Sequence, residues 1–341
     1  MRIAVIASPV TPLRPAQLGG AQAFVCDLAN GLTQRGHEVT LHCAAGSDVP
    51  GVKLMPVPAP PDATAALVMP GGAEPPPAPG VAAAIRRMFR DVRDLGVDAV
   101  SQHAFDAPAI DQSRGLPVLH TLHLPPIVGS VVHAARATPG PRLATVSHAC
   151  RKDWRRAGVD VTRVLANGVP DVAVEDSADP AVLVAGRISP EKGIEHAVAA
   201  ARAAGLPVRL AGAQYDPGYE VELAGVELLG SLARDSLRQV MAASAVTVCA
   251  VRWEEPFGMV AAEAQMAGCP VAAYRRGAMP EVVEEGVSGF LAAPDDITGL
   301  AEAIRRCLSL DRAAVRASAL RRLGIGAAIE RYELALKEVA G

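Results

Sequence analysis

Two hydrophobic periods alternate along the chain. Short apolar runs bounded by Gly, Pro, Asn or Asp are followed by longer stretches whose apolar positions recur at helical spacing. In the first half this predicts strands over 2–7, 38–43, 53–57, 97–101, 117–121 and 143–146, with helices over 20–35, 80–95, 105–112 and 147–157. In the second half it predicts strands over 182–185, 208–211, 227–229, 246–250 and 271–274. Helices are expected there over 194–204, 232–243, 258–267, 281–284 and 298–308, and a last one over 325–339. Strands alternating with helices are the mark of parallel sheets with crossover connections. At 341 residues the chain exceeds what one core fills. The expected class is therefore α/β, with two Rossmann-like, doubly wound domains facing a cleft. In such sheets ligands bind beyond the carboxyl ends of the strands.

The turn Asn167-Gly168-Val169-Pro170 and the acidic stretch after it mark a linker. The expected division is a first domain over 1–168, a linker over 169–179, a second domain over 180–322 and a terminal helical segment over 323–341. The proline- and glycine-rich stretch 57–79 reads as a surface loop, either a plain connection or a contact to an acceptor.

Composition narrows the function class. A net charge of -3 gives no electrostatic reason for a nucleic-acid partner. The cysteines Cys26, Cys43, Cys150, Cys249, Cys269 and Cys307 are scattered without a C-x-x-C pair, so buried free thiols in a reducing, cytoplasmic setting are expected. The opening apolar run is cut by Pro9 and is too short for a signal peptide. The uncharged stretch 115–135 contains Pro117, Pro125 and Pro126 with His120, His123 and His133, and reads as a strand and a loop, not a membrane span. Between Val81 and Arg93, Arg86, Arg87 and Arg90 stand over Ile85, Met88, Phe89 and Val92. Membrane contact is open there, but Asp91 and Asp94 dilute the charge, and an ordinary solvated face is favoured.

The densest chemistry lies in Arg252-Trp253-Glu254-Glu255-Pro256-Phe257-Gly258-Met259-Val260-Ala261-Ala262-Glu263, between a predicted strand and a predicted helix. Pro256 and Gly258 make a turn whose following amides sit free at a helix start, a place suited to a diphosphate. Glu255 lies in the loop, and Glu263 lies about one turn into the helix, where its carboxylate can accept from vicinal hydroxyls. A carboxylate beside a phosphate needs cations nearby. Ala185-Gly186-Arg187-Ile188-Ser189-Pro190-Glu191-Lys192-Gly193 supplies Arg187 and Lys192 at another strand–helix junction, and Lys192 is one of only four lysines. His123 is expected to point from the end of its strand, with His120 on the same face. His103 and Asp106 follow another strand and read either as contacts to an acceptor or as ordinary solvated residues.

These segments resemble glycosyltransferase family 4. The resemblance rests on Glu255 and Glu263 in E-x7-E spacing, Gly186-Arg187 with Lys192-Gly193, Gly19-Gly20, Gly36-His37-Glu38-Val39-Thr40, Thr121-Leu122-His123 and Asn167-Gly168-Val169. It implies a GT-B fold, a nucleotide-diphosphate sugar donor, retention of anomeric configuration and no bound metal or other cofactor. It further implies that Arg187 and Lys192 hold the donor diphosphate, Glu263 the ribose and Glu255 the transferred sugar. Phe257, Gly258, Met259 and Val260 would offer amides, Gly19 and Gly20 would allow close approach, and His123 would bond a sugar hydroxyl. The terminal helix would cross back to the first domain. The expected acceptor is a small molecule or glycan, in antibiotic or other secondary-metabolite assembly, or in cell-envelope glycan or glycolipid synthesis. Two rival readings remain: a phosphorylase type with pyridoxal phosphate on Lys192, and a non-catalytic nucleotide-sugar binding module.

Overall fold

The computed structural model describes residues 1–14, 19–66, 75–171 and 179–341. Parts of the proline-rich loop and of the expected linker lie outside the described residues. The chain divides into two compact units, Met1–Ala166 with Gly326–Gly341, and Asn167–Ile325.

The first unit contains β1 (Arg2–Ile6), α1 (Gly20–Gln34), β2 (Glu38–Ala44), β3 (Lys53–Val57), α2 (Pro79–Leu95), β4 (Ala99–Gln102), α3 (Ala107–Asp111), β5 (Val118–Leu122), α4 (Gly129–Arg136), β6 (Leu143–Thr145), α5 (His148–Arg156) and β7 (Arg163–Val164). Its parallel sheet runs β3-β2-β1-β4-β5-β6-β7, so the order reverses between β1 and β4. The second unit contains β8 (Asp179–Ala185), α6 (Ile194–Ala203), β9 (Val208–Ala211), β10 (Val226–Gly230), α7 (Arg234–Ala243), β11 (Ser244–Cys249), α8 (Met259–Met266), β12 (Val271–Tyr274), α9 (Met279–Val282), β13 (Gly289–Ala292), α10 (Ile297–Cys307) and α11 (Arg312–Leu323). Its sheet runs β10-β9-β8-β11-β12-β13, reversing between β8 and β11. Both units are Rossmann-like. The chain ends in α12 (Ile325–Ala340).

Strand interiors such as Val182–Leu183 and Val271–Ala273 are covered on both faces, which is why they read as continuous apolar runs instead of alternating ones. In α2, Val81, Ile85, Met88, Phe89 and Val92 enter the core, and Arg86, Arg87 and Arg90 remain outside. The apolar face that a membrane would have needed is already buried. Asp62 caps this helix from across the loop, accepting from Gly80 N at 2.8 Å and Val81 N at 3.0 Å. No helix among the described residues is long and apolar enough to cross a membrane. The six cysteines are buried free thiols, as expected.

Several elements depart from the expected pattern. The stretch 115–135 is not only strand and loop, because α4 begins at Gly129, past the prolines, and buries Val131, Val132, Ala134 and Ala135. β7, of two residues, is too short to carry a readable period, and β7 and β13 each pair with one neighbouring strand at the edge of their sheet. α11 buries Val315, Ser318, Ala319 and Leu323 among many arginines, a stripe too small to stand out in the sequence.

Helix α12 packs on the first unit. Ile329 lies over Gly31 of α1, and the Tyr332 hydroxyl donates to Thr121 Oγ1 at 3.2 Å. Glu333 is buried and pairs with Arg35 and with Lys337 at 2.6 Å. The Lys337 hydrogen bond and then the Arg35 bond hold its carboxyl down at about 2. Because this value lies below that of an unfolded glutamate, about 4.3, the stabilisation is complete above that pH and is lost as pH falls toward 2. We expect Glu333→Gln to lower the melting temperature at pH 7 by roughly 2–4 °C. The gap from the parent should close as thermal scans move from pH 5 to pH 2, and a gap independent of pH would contradict this account.

Candidate functional site

In the second unit the switch in strand order places the exits of β8 and β11 side by side, the two strands pairing through Leu183↔Thr247 and Val184↔Val248. Each exit leads into one of the charged segments. After β8 the chain turns through Pro190–Lys192 and reaches Gly193 at φ +59, from which α6 starts. A Cβ at Gly193 would lie 2.1 Å from the Ala250 carbonyl oxygen, so the turn is pressed against the exit of β11 and only glycine fits. The Arg252 amide donates to the Glu191 carbonyl at 2.9 Å across the same seam.

This seam brings Lys192 to Glu255. The ammonium lies 2.9 Å from Glu255 Oε2, and Trp253 Nε1 donates to the same oxygen at 2.8 Å. The Lys192 ammonium also stands 5.3 Å from the centre of the Trp253 ring, within cation–π range. Both charged side chains are largely shielded, at 20% and 12% exposure, so their attraction is stronger than between solvated groups. Beneath them, burial and then the Glu255 charge push the Cys249 thiol up to about 12, which rules it out as a nucleophile at neutral pH.

Arg187 donates to Glu191 Oε1 at 2.9 Å, and its guanidinium lies 4.6 Å from the Tyr215 ring centre. At 38% exposure it is the more open of the two cations. Phe257 and Gly258 are buried, and Gly258 enters α8 at φ +94. A Cβ there would meet Met279 Cε at 2.0 Å. The loop is tied to the exit of β12 by Gly277 N to Glu254 Oε2 at 2.9 Å and Ala278 N to the Glu255 carbonyl at 2.8 Å. Met259 and Val260 open α8, whose first amides lack intrahelical acceptors. Glu263, on the buried side of α8, accepts from Arg234 Nε at 2.7 Å and Arg238 Nη2 at 3.5 Å. The sequence reading left these two arginines out, although their four-residue spacing on one helix was a readable signal. Tyr215 gave no signal, because its place over Arg187 is set by a loop.

In the first unit, Gly19 precedes α1 and Gly20 is its first residue. His123 follows the end of β5 and is 7% exposed, with Nε2 2.8 Å from His103 Nδ1. The expectation that His120 shares its face is corrected. His120 lies three residues earlier and meets a different set of partners, Gln102 Oε1 at 2.9 Å and Ser113 Oγ at 3.0 Å. Both of its ring nitrogens are thus occupied by protein. Asp106, past the end of β4, has its carboxyl pushed up to about 6 by burial. Burial lowers His120 to about 3 and His123 to about 4.

A histidine held below its unfolded value makes folding weaken as pH falls, because the unfolded chain binds the extra proton. Unfolding free energy should therefore drop from about pH 6.5 toward the folded values. His120→Gln should reduce the slope by up to one proton, roughly 1.4 kcal/mol per pH unit. Urea titrations at pH 4.5 to 7.5 read this, and an unchanged slope would refute the neutral state of His120.

Residues 18–172 match the family described as Glycosyltransferase Family 4, and residues 170–322 match Glycosyl transferases group 1. A glycogen synthase of Mycobacterium tuberculosis is 30% identical over 190 residues, covering 52% of this chain and 43% of that protein. A D-inositol 3-phosphate glycosyltransferase of Mycolicibacterium vanbaalenii is 33% identical over 205 residues, covering 57% of this chain and 42% of that protein. The chain thus spans less than half the length of these curated relatives. Among solved structures, AviGT4, a glycosyltransferase involved in avilamycin A biosynthesis, superposes with a TM-score of 0.71 at 23% identity over 99% of this chain and 98% of its own. Anabaena Alr3699/HepE, in complex with UDP-glucose, superposes with a TM-score of 0.76 at 20% identity over 99% and 100%. At these identities the likeness is one of fold.

Proposed function

We infer the function of this chain from the family to which it belongs, the family 4 type of glycosyltransferases, whose GT-B architecture of two Rossmann-like units it has. We propose that it moves a sugar from a nucleotide-diphosphate donor to an acceptor hydroxyl with retention of configuration. The observation that carries this reading is the Lys192–Glu255–Trp253 cluster at the β8/β11 switch point, beside Arg187 and the start of α8.

Breaking the anomeric bond leaves positive charge on the sugar and negative charge on the departing diphosphate. Lys192, Arg187 and the amides from Gly258 onward are suited to the second charge, and one such donor is worth ~3 kcal/mol. Glu255 is suited to the sugar. Arg234 and Arg238 orient Glu263, the carboxylate assigned to the ribose. With protein cations in these places, no bound metal or other cofactor is needed in this scheme. Glu255 Oε2 already accepts two hydrogen bonds, which weakens it as a nucleophile. That favours attack from the face the diphosphate leaves, with the phosphate taking the acceptor proton, over a double displacement. The acceptor is proposed to be a small molecule or glycan, with secondary-metabolite glycosylation as the setting.

Calorimetric titration with uridine, guanosine and thymidine diphosphates should find one that binds. The Arg187→Ala/Lys192→Ala variant should keep its circular dichroism spectrum and lose donor turnover by at least 10²–10³-fold. Chelation of divalent metals should leave the parent's turnover unchanged. Full activity in the double variant sinks the assignment of the two cations.

A further inference from the structure

At the carboxyl ends of β4 and β5, three buried side chains form a line of hydrogen bonds. Ser101 Oγ lies 2.8 Å from His103 Nε2, and His103 Nδ1 lies 2.8 Å from His123 Nε2. Ser101 and His103 stand two positions apart, on one face of the strand's line, which is what lets them touch.

The inner end of this line decides where its protons sit. Ser101 is fully buried, and His103 Nε2 is the only side-chain or backbone partner of its hydroxyl among the described residues. A buried hydroxyl proton without an acceptor is costly, so Ser101 donates and His103 Nε2 accepts. The His103 proton is then on Nδ1 and is donated to His123 Nε2. His123, accepting at Nε2, carries its own proton on Nδ1, the tautomer that a free neutral imidazole populates less. Among the described residues, His123 makes its side-chain hydrogen bond through Nε2 alone, which leaves Nδ1 to a ligand or solvent.

We propose that Ser101 and His103 are positioning residues that hold His123 as a neutral Nδ1–H imidazole, which donates a hydrogen bond to an oxygen of the substrate. The proposal rests on the glycosyl-transfer reading, and it explains why a pair of histidines should be buried here. Aromatic neighbours set both rings: Phe24 lies 6.2 Å from His123 and Tyr332 lies 5.8 Å from His103, between ring centres. Tyr332 is in turn anchored on Thr121. Burial, with the His123 charge as a second cause, holds His103 well below its ordinary value, so neither ring is cationic at neutral pH. Neutrality matters because the transferred sugar becomes positive in the transition state. An imidazolium beside it would raise the barrier, whereas an N–H dipole orients a hydroxyl without adding a full charge.

The tautomer is read directly by nitrogen-15 NMR of the imidazoles in the full chain at pH 7, with His123 assigned through His123→Asn. The expected spectrum shows His123 protonated at Nδ1 only. Ser101→Ala should convert it to a tautomer mixture, and Ser101→Thr, which keeps the hydroxyl, should restore it. With the sugar nucleotide of the calorimetric hit, Ser101→Ala should lower kcat roughly tenfold at unchanged nucleoside-diphosphate affinity, and Ser101→Thr should recover it. His123 protonated at Nε2, or doubly protonated, overturns the relay. So does an unaltered kcat in Ser101→Ala once its tautomer has shifted. A parent chain that turns over no sugar nucleotide overturns the functional reading, while the spectrum still decides the relay.

Discussion

A carboxylate shielded from water is stable as an anion only beside a cation, and this constraint governs the charged cluster of the second unit. The cation is Lys192, and it reaches Glu255 because β8 and β11 are neighbours in the sheet though far apart in the chain. The distance of 2.9 Å follows from strand register, from the turn over Pro190–Lys192, and from the close seam at Gly193 and Ala250. Any residue with a Cβ at 193 would open that seam and part the charges.

The rest of the cluster follows the same logic of charges kept in one place by packing. Trp253 gives Glu255 a second donor and gives Lys192 an aromatic face, so both are held without adding net charge. Arg187 is paired more loosely, with Glu191 and the face of Tyr215. Glu263 is held by Arg234 and Arg238 on the buried side of α8. Glu191, Glu255 and Glu263 each have a guanidinium or ammonium beside them, whereas Glu254 accepts from the Gly277 amide.

The first unit disfavours charge where its histidine group is buried. Its histidines His103, His120 and His123 are buried and neutral, and hydrogen bonds to Ser101, Gln102 and Ser113 distribute their protons. α12 contributes to this unit, since Tyr332 packs on His103 and Phe24 while Glu333 is fixed by Arg35 and Lys337. The chain's last helix thus closes the aromatic group around the histidine pair.

Period and punctuation in the sequence were enough for the α/β class, for most strands and helices, and for the two charged segments that follow β8 and β11. Those features are local: an apolar run, a glycine turn and a helix stripe are written in consecutive residues. The sequence by itself also determined which residue types stand at the strand exits, Arg187, Lys192, Glu255 and His123 among them. It did not carry α4, β7, β13 or α11, whose signals are short or masked by prolines and arginines. Only the tertiary structure decided which carboxylate meets which cation, that Glu263 belongs to Arg234 and Arg238, and that His120 and His123 face different partners. Those pairings join strands and helices distant in the chain, and their energies depend on distances of about three ångströms, which no linear spacing specifies.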